Sequence, residues 1–293
     1  MMENRLLKYF LVVAQEENIT KAAEILRVSQ PALSKQIMQL EDELGAKLFI
    51  RGKRSLSLTE EGRFLRSRAQ EIVDLTEKTE RDFKDGIVSY NGTVSIGMGE
   101  TAASRWLSAQ MEKFSESYPD VRFDFYSATA DSVREKIEKG LLDMGLLIEP
   151  TGDLSKYDFI RLPVKDRWGV LFSVENPLAG KDFITREDLM QEKLFIPFRI
   201  FPHLKEMLGI STEEITVRGT HNLLYNVASV VQDNSAAAIT IGGAAELYDS
   251  RKLIWKPISP EIGFHSVLIW KKYKSSSPSA AKFLEFINHS VLL

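Results

Sequence analysis

Residues 28–45 read Val28-Ser29-Gln30-Pro31-Ala32-Leu33-Ser34-Lys35-Gln36-Ile37-Met38-Gln39-Leu40-Glu41-Asp42-Glu43-Leu44-Gly45. Ser29 is a good N-cap, and proline is tolerated in the first turn, where its missing N–H costs nothing. Leu33, Ile37, Leu40 and Leu44 share one face of the resulting helix, and Gly45 ends it. Upstream, Leu6, Leu7, Phe10, Leu11 and Ala14 form a second helical stripe. A short helix over 21–27 lies between the two, with Thr20 as its expected cap and Glu24 near the capping-box position. Ala22 and Ala23 allow two helices to cross closely. Three helices, the last two joined by a tight turn, have helix-turn-helix spacing. The third helix leaves Gln30, Pro31, Ser34 and Lys35 outward near its N-terminus. Their short polar and cationic groups suit base edges and phosphates in a major groove. Arg27 occupies the turn where such motifs often carry glycine.

Working outward, Leu48-Phe49-Ile50-Arg51-Gly52-Lys53-Arg54-Ser55-Leu56-Ser57-Leu58 alternates around a Gly-Lys-Arg tip and predicts a small hairpin. Arg51, Lys53 and Arg54 suit a wing laid on a nucleic-acid backbone. A solvated basic turn is the plain alternative, and the preceding helix pair favours the wing. Thr59 caps a long helix running to about residue 85, with Glu60 and Glu61 in the first turn, where the helix dipole favours acids. Leu65, Ala69, Ile72, Thr76, Thr79 and Phe83 repeat at heptad-like spacing. They read as a dimer seam or as packing against the chain's own body.

Beyond Asn91-Gly92 the texture alternates between strands (93–97, 122–127, 144–149, 168–174, 194–197, 215–219, 236–241, 266–270) and helices (103–117, 132–140, 203–208, 223–232, 279–291). Such alternation predicts an α/β domain built on a parallel sheet.

Composition narrows the function. The 293 residues carry a net charge of −3. Residues 1–68 hold twelve Lys/Arg against nine Asp/Glu, so a small basic module precedes a larger acidic part. With no cysteine, disulfides, thiolate metal sites and cysteine nucleophiles are excluded. The four histidines, His203, His221, His265 and His289, do not form a zinc-binding helix. No metal and no cofactor is expected. The N-terminus is not a basic signal region, and no apolar run is long enough to span a bilayer. A cytoplasmic location without membrane contact is the expectation.

Gly97-Met98-Gly99-Glu100-Thr101-Ala102 matches a Gly-x-Gly-x-x-Ala fingerprint between strand and helix. Glu100 would oppose a pyrophosphate, so a dinucleotide site is disfavoured. Thr101 and Ser104 instead place hydroxyls and free amides at a helix N-terminus, which suits a small anion. Thr129 and the Thr220-His221-Asn222 segment open helices similarly at strand C-ends, where open α/β sheets bind ligands. Ordinary N-capping is the competing use. Arg199, and His203 nearby, offer charge to a ligand. No catalytic triad, carboxylate pair or Walker loop stands out, and no enzymatic activity is expected.

Residues 5–66 resemble the N-terminal domain of LysR-type transcriptional regulators. The carrying residues are Phe10, Ala22-Ala23-Glu24-x-Leu26, Val28 to Ile37, Leu40-Glu41-x-x-Leu44-Gly45, Leu48-Phe49-x-Arg51 and Leu58-Thr59-x-x-Gly62. The rest is similar more loosely, through size, element order and the ending Ser279-Ala280-Ala281-x-Phe283-Leu284-x-Phe286-Ile287. The resemblance implies a winged helix-turn-helix DNA-binding domain over 1–58, a linker and dimerisation helix with hinge over 59–91, and an effector domain over 92–293. That domain would be two-lobed and periplasmic-binding-protein-like, with lobe I about 92–163 plus 269–293 and lobe II about 164–268. It also implies double-stranded operator DNA of dyad symmetry as partner, and self-association as a dimer or tetramer. By position, Gln30, Pro31, Ser34, Lys35, Arg51, Lys53 and Arg54 match the family's DNA contacts. Thr101, Ser104, Thr129, Arg199, Thr220 and His221 are the candidates for a small-molecule effector, a carboxylate or other anion. Near Asp233-Asn234-Ser235-Ala236 the family's usual Gly-x-Gly turn and later proline are missing. Two rivals share parts of this pattern. An exported solute-binding protein has two lobes but lacks a basic head, and a nucleotide-dependent oxidoreductase would use the Gly97 loop.

Overall fold

A computed structural model describes residues 3–51, 56–84, 91–150, 152–272 and 277–292. Two compact units divide at Lys84/Asp85. The first contains α1 (Asn4–Glu16), α2 (Ile19–Ile25), α3 (Gln30–Leu44), β1 (Phe49–Arg51), β2 (Leu56–Leu58) and α4 (Glu60–Lys84). Its core joins Leu6, Leu7 and Phe10 of α1 to Ala22, Ala23, Leu33, Ile37 and Leu40. Both alanines are essentially inaccessible, as a close helix crossing requires. The cap of α2 is Asn18, whose side chain accepts from the amides of Thr20 and Lys21, rather than Thr20. Ser29 caps α3 through the Ala32 amide, and Gly45 closes it in the left-handed conformation.

The long helix does not stand apart. Leu65, Ala69 and Val73 of α4 are buried in the same core as α1. The single seam expected along α4 therefore splits. Leu65 and Ala69 face the body, whereas Ile72 and Phe83 are exposed together with Phe64 and Leu75. Leu65 and Phe83 lie about five turns apart on one face, so burial follows where α1 covers α4 and not a change of face.

The second unit contains β3 (Thr93–Met98), α5 (Ala102–Ser117), β4 (Arg122–Ser127), α6 (Ala130–Glu138), β5 (Met144–Ile148), β6 (Tyr157–Ser173), α7 (Arg186–Leu189), β7 (Lys193–Pro197), α8 (Leu204–Leu208), β8 (Thr216–His221), α9 (Tyr225–Gln232), β9 (Ala237–Ile241), α10 (Gly242–Ala245), β10 (Leu253–Pro257), β11 (Gly263–Lys271) and α11 (Pro278–Leu292). The sheet is mixed rather than parallel. Strands run in the order β4-β3-β5-β11-β6-β9-β7-β8, with β10 also pairing β6. Two parallel trios, β4-β3-β5 and β8-β7-β9, are joined through antiparallel β11 and β6. The 17-residue β6 is the bridge: its first half pairs with β11, and its second half with β9 and β10. Separate apolar cores fill the two lobes, one around Phe114 and Phe283, the other around Phe172, Ile196 and Ile239.

Gly97 is explained by packing. A Cβ there would fall 2.6 Å from Leu142 and 2.8 Å from Val133, so the glycine lets α6 lie close on the sheet. Gly243 is tighter still: its Cβ would meet the Ala102 backbone nitrogen at 1.8 Å, where α10 of one lobe abuts α5 of the other.

Two substitutions test these backbone requirements. Arg27 holds a left-handed φ of 54°, so Arg27→Gly is expected to stabilise the first unit by about 1 kcal/mol. Gly243→Ala is expected to destabilise the second unit by about 3 kcal/mol, the cost of forcing a methyl into packed backbone. Urea unfolding of each variant measures both.

Candidate functional site

The first candidate surface is the N-terminal turn of α3. Gln30, Pro31 and Lys35 are exposed and Ser34 is half-buried. The Gln30 side-chain amide donates to Ser34 Oγ at 2.9 Å, which presents both polar groups as one array. β1 and β2 pair antiparallel, with Phe49 opposite Leu58 and Arg51 opposite Leu56. The side chain of Arg51, and the tip with Lys53 and Arg54, lie outside the described residues.

Glu41 fastens the hairpin to α3. This carboxylate is 6% exposed, accepts from the Leu48 and Phe49 amides at 2.9 and 3.4 Å, and pairs with Lys47 at 2.7 Å. Burial pushes its pKa up, but the Lys47 ammonium and the two amides outweigh burial and hold it below the ordinary carboxylate value. Thr59 adds a second tie by donating to the Lys47 carbonyl at 2.7 Å and accepting from the Gly62 amide at 2.9 Å. A Cβ on Gly62 would lie 2.2 Å from the Leu48 carbonyl oxygen.

The second candidate is a cavity of about 150 Å3 between the lobes of the second unit, at the C-terminal ends of the strands. Its wall includes Thr101, Thr129, Arg199 and His221 among the expected residues. Ser104 and Thr220 are not part of the wall. Ser104 Oγ turns back to the Gly99 carbonyl, and Thr220 is exposed. In β8 alternate residues face opposite ways, so His221 and Thr220 cannot both point into the cleft.

Two of the three helix ends that the sequence offers to an anion, those of α5 and α9, are already occupied, whereas the start of α6 at Thr129 and Ala130 lies in the cavity wall. The Ala102 amide at the start of α5 donates to Asp166 Oδ2 at 3.0 Å. Asp166 is 6% exposed and also accepts from the Gly243 amide at 3.1 Å. At the start of α9 the Leu224 amide donates to Glu100 Oε2 at 2.7 Å. Burial pushes the Glu100 carboxyl above its ordinary value, against these amide contacts. Asp166 carries no motif and escaped the sequence reading. Glu100 was visible only as a residue hostile to pyrophosphate. Asp166 holds the Ala102 amide of the fingerprint and Gly97 is used in packing, so a carboxylate of the chain already sits where a pyrophosphate would have to bind.

Arg199 follows β7 and is half-buried, and burial pushes its guanidinium pKa down. His221 ends the neighbouring β8, with Nε2 3.2 Å from the Ile239 carbonyl oxygen. Burial pushes its pKa below the ordinary 6.5, and the backbone carbonyls of Ile239 and Leu223 oppose this without reversing it. Among the described residues, no helix is long and apolar enough to cross a membrane.

Comparison with known proteins places this geometry. Residues 89–291 match the LysR substrate binding domain, and residues 4–63 match the bacterial regulatory helix-turn-helix protein, lysR family. The chain belongs to the LysR family. This LysR-family chain is 31% identical over 191 residues to an uncharacterized HTH-type transcriptional regulator, YvbU, of Bacillus subtilis (strain 168), covering 65% of this chain and 64% of that one. It is 34% identical over 188 residues to the Hca operon transcriptional activator HcaR of Escherichia coli (strain K12), covering 64% and 62%. The chain thus spans a little under two thirds of these relatives. In fold it is similar to full-length CbnR crystallised with its target DNA, with a TM-score of 0.80 at 21% identity over 99% of this chain and 100% of that one. The family and these relatives are regulators, not enzymes, which sets aside the oxidoreductase alternative.

His221 generates a pH prediction. Its folded pKa lies below the unfolded value of about 6.5, so the unfolded chain binds more protons as pH falls past that value. The histidine's contribution to stability is present above about pH 6.5 and is lost as pH falls below it. Urea midpoints between pH 7.5 and 5.5 are expected to fall in the unaltered chain, and less steeply in His221→Phe.

Proposed function

We propose that this LysR-family chain is a cytoplasmic, sequence-specific DNA-binding transcription regulator whose activity is set by a small molecule bound between the two lobes of residues 92–293. The observation that carries the reading is the N-terminal half of α3, where Gln30 is hydrogen-bonded to Ser34 and both Gln30 and Lys35 are exposed. Phosphate contacts supply affinity, and the outward side chains supply base choice. Gln30, Pro31, Ser34 and Lys35 are the residues proposed to meet the major groove, and Arg51, Lys53 and Arg54 to meet the flanking backbone.

The partner is a duplex operator of dyad symmetry, bound by a dimer or tetramer of this chain. Phe64, Ile72, Leu75 and Phe83 support self-association through the 59–91 segment, because they leave an apolar stripe on α4 exposed. The effector is proposed to contact Thr101, Thr129, Arg199 and His221. A change in the angle between lobes would alter the spacing of paired heads, coupling effector to operator.

Lys35→Ala is expected to weaken operator binding about tenfold at fixed salt and to reduce the salt slope by about 1. Fluorescence anisotropy with an operator found by genomic mapping measures both. Unchanged affinity at matched salt would remove this face from the interface.

A further inference from the structure

The inter-lobe cavity contains two polar groups, on Arg199 and His221, that the described residues leave unmatched. Arg199 makes no hydrogen bond and no ion pair among the described residues. Asp131 attracts it, yet that carboxylate is held by Arg134 of its own helix, whose charge repels Arg199. A desolvated cation of this kind is costly until an anion meets it. His221 supplies the second group. Its Nε2 faces a carbonyl oxygen, which only accepts, so Nε2 carries the proton. Nδ1 is then a lone-pair acceptor, and it is buried without a hydrogen-bond partner among the described residues. Such an atom calls for a donor from outside the chain. The two groups are neighbours: the Phe198 amide, one residue before Arg199, donates to the His221 carbonyl at 2.8 Å.

The remaining wall limits the ligand's size and charge. Leu146, Ile148, Trp168, Ile200 and Ile241 make most of it apolar. A cavity of about 150 Å3 is the size that one six-membered ring fills. The amides that begin α5 and α9 are taken by Asp166 and Glu100. Arg199 is the cation of the wall and the seat for an anion, with the start of α6 at Thr129 and Ala130 beside the same space, and the Glu100 carboxylate in the wall opposes a second anion.

We propose that the cleft takes a small monoanion with a ring-sized apolar body and one hydrogen-bond donor, its anionic group paired with Arg199 and its donor directed at His221 Nδ1. The inference rests on the reading of the cleft as an effector site and gives that site a ligand class.

Calorimetry on the full chain tests it with defined probes: the three hydroxybenzoates, benzoate, the three hydroxybenzamides and the three benzenedicarboxylates. At least one hydroxybenzoate is expected to bind about tenfold tighter than its own amide and about tenfold tighter than benzoate. The dicarboxylates are expected not to bind measurably. Arg199→Gln should erase the preference for acid over amide, with part of it returning in Arg199→Lys. His221→Phe should erase the preference for the hydroxyl while keeping that for the acid. The proposal is overturned if no hydroxybenzoate binds at millimolar concentration, if acid and amide bind alike, or if a dicarboxylate binds more tightly. It is also overturned if Arg199→Gln keeps the acid preference. The panel on the unaltered chain reads charge and donor requirements without any variant, so a substitution that misfolds does not shield the idea. Operator affinity is read in the same preparations. Normal operator binding without probe binding removes this inference alone, and the expected probe ranking without operator binding removes the DNA-binding reading alone.

Discussion

Asp166 lies on β6 where the chain passes from one lobe to the other, and its two oxygens accept from Ala102 of α5 and Gly243 of α10. Hydrogen bonds to a buried charge contribute about 1.5–3 kcal/mol each. They also fix the distance between the lobes. The contact works only because Gly243 has no side chain, since any Cβ would strike Ala102. The two lobes therefore meet through backbone at this point, beside the cavity lined by Arg199, His221 and Glu100.

The same carboxylate shapes the electrostatics of the cleft. A helix N-terminus attracts negative charge through its unpaired amides and its dipole. Here α5 and α9 satisfy that demand from within the chain, through Asp166 and Glu100. Self-capping of α5 and α9 leaves the described wall largely apolar. Attraction for an external anion then rests on its cation, the half-buried Arg199, with the start of α6 beside the same space.

In the first unit a comparable economy ties the reading head together. Glu41 sits on the same helix as Gln30, Ser34 and Lys35, and it grips the start of β1. Thr59 and Gly62 close the other side of the hairpin. Helix α3 and the described strands of the hairpin are thereby tied together. The first half of α4 belongs to the same core, so the exposed half of its apolar surface remains available to another copy.

Local signals were legible in the sequence. Ser29, Pro31 and Gly45 mark the ends of α3, and its apolar spacing marks the buried face and leaves Gln30, Pro31 and Lys35 exposed. Such signals act over one or two helical turns, so they survive without knowledge of the rest of the chain. Arg27 was readable as an anomaly for the same reason. The cap of α2 was misplaced from Asn18 to Thr20 because both are good caps and only the backbone angle separates them. What the tertiary structure decided was everything carried by distant pairs. Alternation predicts strands and helices but not direction, so the antiparallel bridge of β6 and β11 was invisible, and with it the mixed sheet. Asp166 meets Gly243 across 77 residues, and Glu100 meets Leu224 across 124. No local pattern announces either contact. Thr220 and His221 were equivalent candidates until strand geometry turned one into the cleft and the other to solvent, because successive side chains of a strand must point to opposite faces.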